Sequence, residues 1–159
     1  MKTLLLFATV LSTLLSTCHG GYFWIKGTKL MDANNVEFIP RGINTANADN
    51  DYGNRPSTYY DAIAKTNANC IRIQWRIESE MSSKGLSDQN LYEAIQMAID
   101  KQMIPIVELW TYTGDKPYGR VSKDDMVAAG QWWAKRIPEF KKRGFEDKLL
   151  INIANEWVS

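Results

Sequence analysis

Residues 70–110 decide the predicted fold, and they read CIRIQWRIESEMSSKGLSDQNLYEAIQMAIDKQMIPIVELW. The run begins with a β-branched strand pattern over Cys70–Trp75 and ends with a second over Ile104–Trp110. The apolar residues between the two strands recur at helical spacing, at Leu91, Ala94, Ile95, Ala98 and Ile99. Ser87 is the predicted N-cap of this helix. A strand, a helix and a strand of these lengths predict a parallel βαβ unit.

The same alternation of strand and helix continues on both sides of this unit. Upstream, a strand is predicted over Ile39–Asn44 and a short helix over Pro56–Lys65. Downstream, a helix opens at Ser122, where Asp125 completes a capping-box pattern, and a fourth strand is predicted over Lys148–Asn155. This alternation predicts either a (β/α)8 barrel or an open doubly wound sheet. No Gly-x-Gly-x-x-Gly sequence follows the first strand, which disfavours a dinucleotide-binding sheet.

Two finer features of these elements are also predicted. The third helix has an apolar stripe that should face the core, made of Met126, Ala129, Trp133 and Ile137. Pro138 is predicted to kink or restart that helix. Before the first strand, a small antiparallel element alternates strand and turn signals, with strands over Tyr22–Ile25, Lys29–Met31 and Val36–Ile39.

The net charge and the rare residue types exclude several classes of function. The 159 residues carry 19 Lys and Arg and 18 Asp and Glu, so the chain lacks the basic surface that nucleic acid requires. The single histidine, His19, lies at the boundary of a predicted leader, which excludes a Ser-His-Asp triad and histidine-ligated zinc from the mature domain. Cys18 leaves with that leader, and Cys70 alone forms neither a disulfide nor a metal site. No metal or cofactor is expected, so carboxylates are the catalytic groups to consider in an enzyme.

Residues 1–20 are predicted to be a secretory signal peptide, and residues 21–159 the exported domain. The leader has a basic residue, Lys2, followed by an apolar stretch of about a dozen residues and a small-residue exit. That stretch is too short to span a bilayer, so no membrane span is expected. Leu15–Cys18 loosely resembles a bacterial lipoprotein box, which keeps lipid anchoring at Cys18 as an alternative, and a buried core helix is another. The protein is expected to be secreted.

Side-chain alternation along the predicted strands gathers polar residues on one face. Successive side chains of a strand point to opposite faces, and the bulky branched set should pack beneath the helices. The inward set then contains Arg72, Gln74, Glu108, Asn152 and Glu156. Arg72 and Glu108 are expected to form an internal ion pair, because a buried charge is tolerated mainly when it is paired. Glu156 differs, since it lies at the carboxyl end of its strand, where (β/α) barrels build their active sites.

Tryptophans also fall at the ends of the predicted strands, at positions 75, 110 and 157. Apolar packing is the ordinary role of a tryptophan, because its large ring buries more apolar surface than other side chains. A row of tryptophans around one mouth would instead suit stacking on the flat rings of sugars. Both interpretations stay open at this point.

Three short motifs overlap the predicted strands: Arg41-Gly42-Ile43-Asn44, Asn69-Cys70-Ile71-Arg72-Ile73 and Ile153-Ala154-Asn155-Glu156-Trp157. Together they resemble glycoside hydrolase family 5, the family of retaining cellulases and mannanases. Residues 27–34 look like the hairpin that precedes the barrel of that family, and residues 150–157 look closest to its bacterial-type β-mannanases. The resemblance implies a (β/α)8 TIM barrel, with about the first four β/α units in this chain behind a short β-hairpin.

The resemblance also implies a mechanism and roles for particular residues. Retaining hydrolysis needs one carboxylic acid to protonate the leaving oxygen and a second carboxylate to attack the anomeric carbon. By resemblance, Glu156 would be the general acid/base, Asn155 would bind the sugar 2-hydroxyl, and Arg72 would organise the floor of the site. From their positions at the strand ends, not from the resemblance, Trp110 and Trp157 are expected to bind the polysaccharide substrate by stacking.

The chain departs from the family pattern in two places and lacks part of it. Residues 110–112 and 45–47 stand where the family often has a histidine, which leaves mannan and cellulose both open as substrates, with mannan slightly ahead. The family's nucleophile ends the seventh strand, so the chain is expected to be an N-terminal part, inactive by itself and monomeric when full length. Two alternatives stay open: a non-catalytic carbohydrate-binding module that uses the tryptophans, and a complete enzyme that pairs Glu108 with Glu156.

Overall fold

A computed structural model describes residues 23–45, 57–77, 85–110 and 121–155. The described chain begins with a β-hairpin made of β1 (Trp24–Lys26) and β2 (Lys29–Met31). Strands and helices then alternate within these ranges, in the order β3 (Gly42–Thr45), α1 (Ser57–Ala64), β4 (Cys70–Trp75), α2 (Asp88–Asp100), β5 (Ile104–Leu109), α3 (Lys123–Lys142) and β6 (Leu150–Asn152). The predicted leader, residues 1–20, lies outside the described residues.

The strands β3, β4, β5 and β6 form one sheet in chain order, and all neighbouring pairs are parallel. The register pairs Ile43 with Ile71 and Ile73 with Val107. A helix lies in each crossover between these strands, so the predicted βαβ organisation is confirmed. A parallel sheet with a helix in every crossover is consistent with part of a (β/α)8 barrel.

Side-chain alternation divides β4 and β5 as the sequence predicts, but the fourth strand departs from the prediction, since Ile153 is 68% exposed. One face packs against α1, α2 and α3 and forms the hydrophobic core with them. On β4 and β5 the strand residues of that face are at most 2% exposed, and they are Ile71, Ile73, Trp75, Val107 and Leu109. Ile43 on β3 and Ile151 on β6 are in register with Ile71 and Val107 but are 47% and 40% exposed, so the expectation that the branched side chains pack beneath the helices is wrong at Ile151. Arg72, Gln74 and Glu108 alternate with these residues and therefore lie on the opposite, inner face of the sheet.

The predicted starts of the second and third helices are confirmed. At α2, Oδ1 of Asn90 accepts the backbone N–H of Ser87 at 2.9 Å. At α3, Oγ of Ser122 accepts the N–H of Asp125 at 3.2 Å, and Oδ2 of Asp125 accepts the N–H of Ser122 at 2.7 Å. These contacts satisfy backbone donors that have no partner within the first helical turn, and they fix where each helix begins.

The buried face of α3 differs from the predicted apolar stripe. Met126 and Ile137 are 51% and 49% exposed, so that part of the prediction is wrong. The buried residues of the helix are Asp125, Ala129, Trp132, Trp133, Arg136 and Phe140. The charged members of this face have partners that make burial tolerable: Asp125 caps the helix, and Nη2 of Arg136 lies 2.6 Å from Oδ1 of Asp88 at the start of α2.

Several predicted boundaries also change. Val36–Ile39 does not form the predicted strand and contributes only a bridge through Glu37. Asp32 explains this, because its Oδ1 accepts two backbone N–H groups of the following turn, at 2.8 and 2.9 Å. The first strand of the parallel sheet begins at Gly42, and the fourth is shorter than predicted. The third helix continues through Pro138, so it does not restart there.

The entry into β3 depends on the residue types of Asn69 and Gly42. Oδ1 of Asn69 accepts the N–H of Arg41 at 2.7 Å, and its Nδ2 donates to the carbonyl of Ile39 at 2.9 Å. A Cβ atom added to Gly42 would lie 2.0 Å from the carbonyl oxygen of Cys70. Only glycine allows this close approach, so Asn69 and Gly42 together set the first strand against the second.

Candidate active site

Arg72 is the centre of a polar cluster on the inner face of the sheet. Its Nη1 lies 3.0 Å from Oε2 of Glu108, which is fully buried on the neighbouring strand β5. Its Nη2 donates to Oδ1 of Asn155 at 2.8 Å. The predicted ion pair between Arg72 and Glu108 is therefore confirmed, and the same guanidinium reaches the segment that follows β6.

Asn152 extends this cluster along the fourth strand. With its amide oriented so that both ends have partners, its oxygen accepts from Nη2 of Arg72 at 2.9 Å, and its nitrogen donates to the carbonyl of Ala154 at 2.8 Å. Side-chain alternation places Asn152 on the inner face, but sequence reasoning assigned it no role. The guanidinium thus joins side chains from β5, from β6 and from the residues just beyond β6.

Backbone hydrogen bonds continue past the carboxyl ends of the strands. The N–H of Trp110 donates to the carbonyl of Trp75 at 2.7 Å, and the N–H of Asn155 donates to the carbonyl of Leu109 at 3.3 Å. These contacts hold Trp110 and Asn155 at the same edge of the sheet. That edge is where parallel α/β structures bind their ligands.

The structure places only some of the predicted site residues. Arg72 and Asn155 are in contact, and Trp110 lies at the same edge of the sheet. The predicted acid/base Glu156 and the predicted stacking residue Trp157 lie outside the described residues.

Of the two interpretations of the tryptophans, apolar packing holds at Trp75. That side chain is 2% exposed and belongs to the core between the sheet and the helices. Trp110 is half-buried and has the same parity as Glu108, which places it toward the inner face. Trp75 pairs with Leu109, the residue before Trp110, so the two tryptophan side chains lie on opposite faces of the sheet. The ring of Trp75 therefore packs in the core, and the ring of Trp110 lies at the edge.

Arg76 is a residue of this edge that sequence reasoning missed. Its guanidinium carbon lies over the indole of Trp110, 5.2 Å from the ring centroid. The signal was present in the sequence, because Arg76 continues the inward parity of Arg72 and Gln74. An arginine above an aromatic face is a cation–π contact, so the two side chains fix each other's position.

The chemistry available to the described cluster is hydrogen bonding and fixed positive charge. Arginine stays protonated in proteins, so Arg72 neither gives nor takes a proton. Because Oδ1 of Asn155 accepts from Arg72, its amide nitrogen is the group that can donate to a ligand. A proton-transfer step at this edge therefore needs another residue, and a carboxylate is the type that the sequence offers next to Asn155.

The described residues contain neither a candidate metal-binding cluster nor a helix that could span a membrane. In the four described ranges, no group of three or more His, Cys, Asp and Glu side chains could hold a metal ion. None of the helices in those same ranges combines the length and the apolar character that a membrane span needs.

Comparison with known proteins relates the chain to polysaccharide hydrolases. It is 35% identical over 135 residues to a mannan endo-1,4-beta-mannosidase of Salipaludibacillus agaradhaerens, a match that covers 85% of this chain and 40% of the relative. The fold is similar to that of a Thermomonospora fusca β-mannanase solved with mannohexaose, with a TM-score of 0.65 and 23% identity over 85% of this chain and 42% of that one. It is equally similar to the catalytic domain of Thermobifida fusca endoglucanase Cel5A, with a TM-score of 0.65 and 23% identity over 87% of this chain and 45% of that one.

These similarities support a relationship of the glycoside hydrolase family 5 kind. The solved neighbours are (β/α)8 barrels, and the described sheet corresponds to part of such a barrel. The chain spans about 40% of the length of the mannosidase it matches. No family model matches the chain.

Proposed function

We propose that this chain is the N-terminal part of the catalytic domain of a secreted β-1,4-glycanase of glycoside hydrolase family 5, with mannan preferred over cellulose. The observation that carries the proposal is the hydrogen bond between Arg72 and Asn155 at 2.8 Å. It ties the inner face of the sheet to the residue directly before Glu156. The similarity to a mannan endo-1,4-beta-mannosidase supports mannan as the substrate. In this proposal residues 1–20 are the export signal and residues 21–159 begin the catalytic domain.

Asn155 and Arg72 bind and orient the substrate in this proposal. The Arg72 guanidinium holds the Asn155 oxygen, so the amide nitrogen is directed to donate to a sugar hydroxyl. Glu108 and Asn152 hold the guanidinium in turn, at 3.0 and 2.9 Å. A donor that is already oriented before the substrate arrives loses little freedom on binding, which favours the reaction geometry.

Glu156 is the general acid/base in this proposal. It protonates the oxygen of the leaving sugar while a second carboxylate attacks the anomeric carbon, and it later removes a proton from the water that releases the glycosyl group. In this proposal the second carboxylate belongs to a part of the barrel that these 159 residues do not include. Glu108 does not suit that role, because it is fully buried and paired with Arg72.

Trp110 and Trp157 supply stacking surfaces for sugar rings in this proposal. The half-buried Trp110 at the carboxyl edge of β5 supports its part. An aromatic ring binds the C–H face of a sugar by apolar contact, while the hydroxyls around the ring remain available to polar groups such as Asn155. The site is therefore suited to a neutral, flat-lying polysaccharide chain.

The test replaces Glu156 by alanine in a full-length protein that contains this chain. Hydrolysis of mannan should be lost, because its leaving alcohol needs a proton. An activated aryl β-mannoside should still form the glycosyl-enzyme in a burst, and azide should then restore turnover and give a β-azido sugar of retained configuration.

A matched control is Glu93→Ala, which removes an exposed carboxylate from α2 and should leave hydrolysis unchanged. An azide product of inverted configuration would show that Glu156 is the nucleophile. Unimpaired mannan hydrolysis by the Glu156→Ala protein would show that Glu156 is not the acid/base and is only a carboxylate at the end of a strand.

A further inference from the structure

The stack between Arg76 and Trp110 suggests a role for an arginine that the proposed reaction does not use. Both residues follow directly after paired strands, since Trp75 pairs with Leu109 at the end of β4 and β5. Arg76 and Trp110 are therefore the next cross-strand pair, and the guanidinium carbon of Arg76 lies 5.2 Å from the centroid of the Trp110 ring. The backbone beneath the pair is held by the hydrogen bond from Trp110 to Trp75.

The position of this pair relative to the polar cluster is set by side-chain alternation. Gln74 and Glu108 are paired across the strands on the inner face, and Arg76 and Trp110 follow two residues later on the same face. The pair therefore forms the layer above the Arg72 cluster, toward the carboxyl edge of the sheet. Asn155, which Arg72 holds, lies at that same edge.

We propose that Arg76 is a positioning residue that holds the Trp110 indole as a stacking surface for one ring of a β-1,4-linked hexose chain; this rests on the proposed function. The guanidinium covers one face of the indole, so a sugar ring that stacks on Trp110 approaches the opposite face. Fixing the indole before the sugar binds removes the cost of ordering a large aromatic side chain at that moment. Arg76 itself contacts no sugar in this arrangement.

The experiment follows binding of mannohexaose by NMR, using the indole N–H resonances of a full-length protein that contains this chain and carries Glu156→Ala, so that the sugar is not cleaved during the titration. The Trp110 resonance is identified by its loss in Trp110→Phe, and it should shift as the sugar is added. Arg76→Ala should weaken binding about two- to fivefold, the range expected for loss of one cation–π contact at a partly exposed site. Arg76→Lys keeps a cation and should recover most of the affinity, while Arg76→Gln should not.

The matched control is Arg143→Ala. Arg143 lies over the ring of Tyr92 at 3.9 Å, in the helical layer and away from the strand ends, so its removal should leave the affinity unchanged. A second measurement needs no sugar: the side-chain δ protons of Arg76 should be shifted upfield by the indole ring current, and Trp110→Ala should abolish that shift. This measurement reports the contact directly, whatever the variants do to affinity.

The outcomes separate the two proposals. Sugar-induced shifts at Trp110 that weaken in Arg76→Ala and recover in Arg76→Lys would support the positioning role. Shifts at Trp110 with equal affinity in every Arg76 variant, or an Arg76 resonance that Trp110→Ala does not move, would overturn that role and leave the proposed function standing. If neither mannohexaose nor cellohexaose moves any indole resonance, both the proposed function and the role of Arg76 are overturned.

Discussion

The ion pair between Arg72 and Glu108 should contribute strongly to the stability of the fold. The carboxylate is fully buried, and the arginine side chain is 21% exposed. Arg72→Met removes the guanidinium that pairs with the buried Glu108 carboxylate, and removal of one partner from a buried pair costs about 3–5 kcal/mol. Because Arg72 is not completely buried, the lower end applies, and we expect a loss of about 3 kcal/mol in the free energy of unfolding. For a domain of this size the midpoint of thermal unfolding should fall by roughly 6–12 °C.

A double-mutant cycle isolates this pair from the other contacts of Arg72. The single variants Arg72→Met and Glu108→Gln and the double variant are compared by urea unfolding, followed by far-UV circular dichroism. The double variant should be more stable than the sum of the single losses predicts, with a coupling energy of about 2 kcal/mol. Contacts of Arg72 with Asn152 and Asn155 cancel in the cycle, because they are lost in both Arg72 variants.

The hairpin offers a matched control at the surface. Nζ of Lys29 lies 2.6 Å from Oε2 of Glu37, closer than the atoms of the buried pair, but these side chains are 56% and 38% exposed. The same cycle on this pair should give less than about 1 kcal/mol, since water screens exposed charges. A coupling energy for Arg72 and Glu108 no larger than that of the control would refute the reasoning that burial makes this pair strong.

Two further predictions concern the contact between the first strands of the parallel sheet. Gly42→Ala should destabilise the chain by several kcal/mol, of the order of 3, because the new Cβ meets the Cys70 carbonyl at 2.0 Å. Gly130→Ala, where a Cβ meets nothing within 4 Å, should be neutral or stabilise α3 when both are measured by urea unfolding. Burial raises the pKa of the Cys70 thiol. The buried protonated thiol therefore contributes fully to stability below the ordinary thiol pKa, and this contribution is lost as the pH rises through the raised pKa. In a Cys18→Ser chain, iodoacetamide should therefore modify Cys70 much more slowly in buffer than in urea at pH about 8.5; equal rates would contradict the burial of this thiol.

The elements of the fold could be predicted because their signals are local. Periodicity of apolar residues predicts α2, and β-branched runs predict the strands β4 and β5. Ser87 as an N-cap predicts the start of α2, and the capping-box pattern of Ser122 and Asp125 predicts the start of α3. Parity within a strand predicts which side chains lie on the inner face, and it predicted Arg72 and Glu108 as a pair. The role of Glu156 rests on resemblance and on its position after the fourth strand, and it stays a prediction.

Only the tertiary structure decided which distant groups meet. Arg72 holds Asn155 across 83 positions of sequence, and Arg136 holds Asp88 across 48, and no local pattern encodes either contact. The same limit explains the wrong stripe on α3, because a polar residue joins a buried face when a partner from another element satisfies its charge. Local sequence thus determines which residues share a face of a helix or a strand, since backbone geometry sets the period. The partner across each face depends on how the chain closes in space.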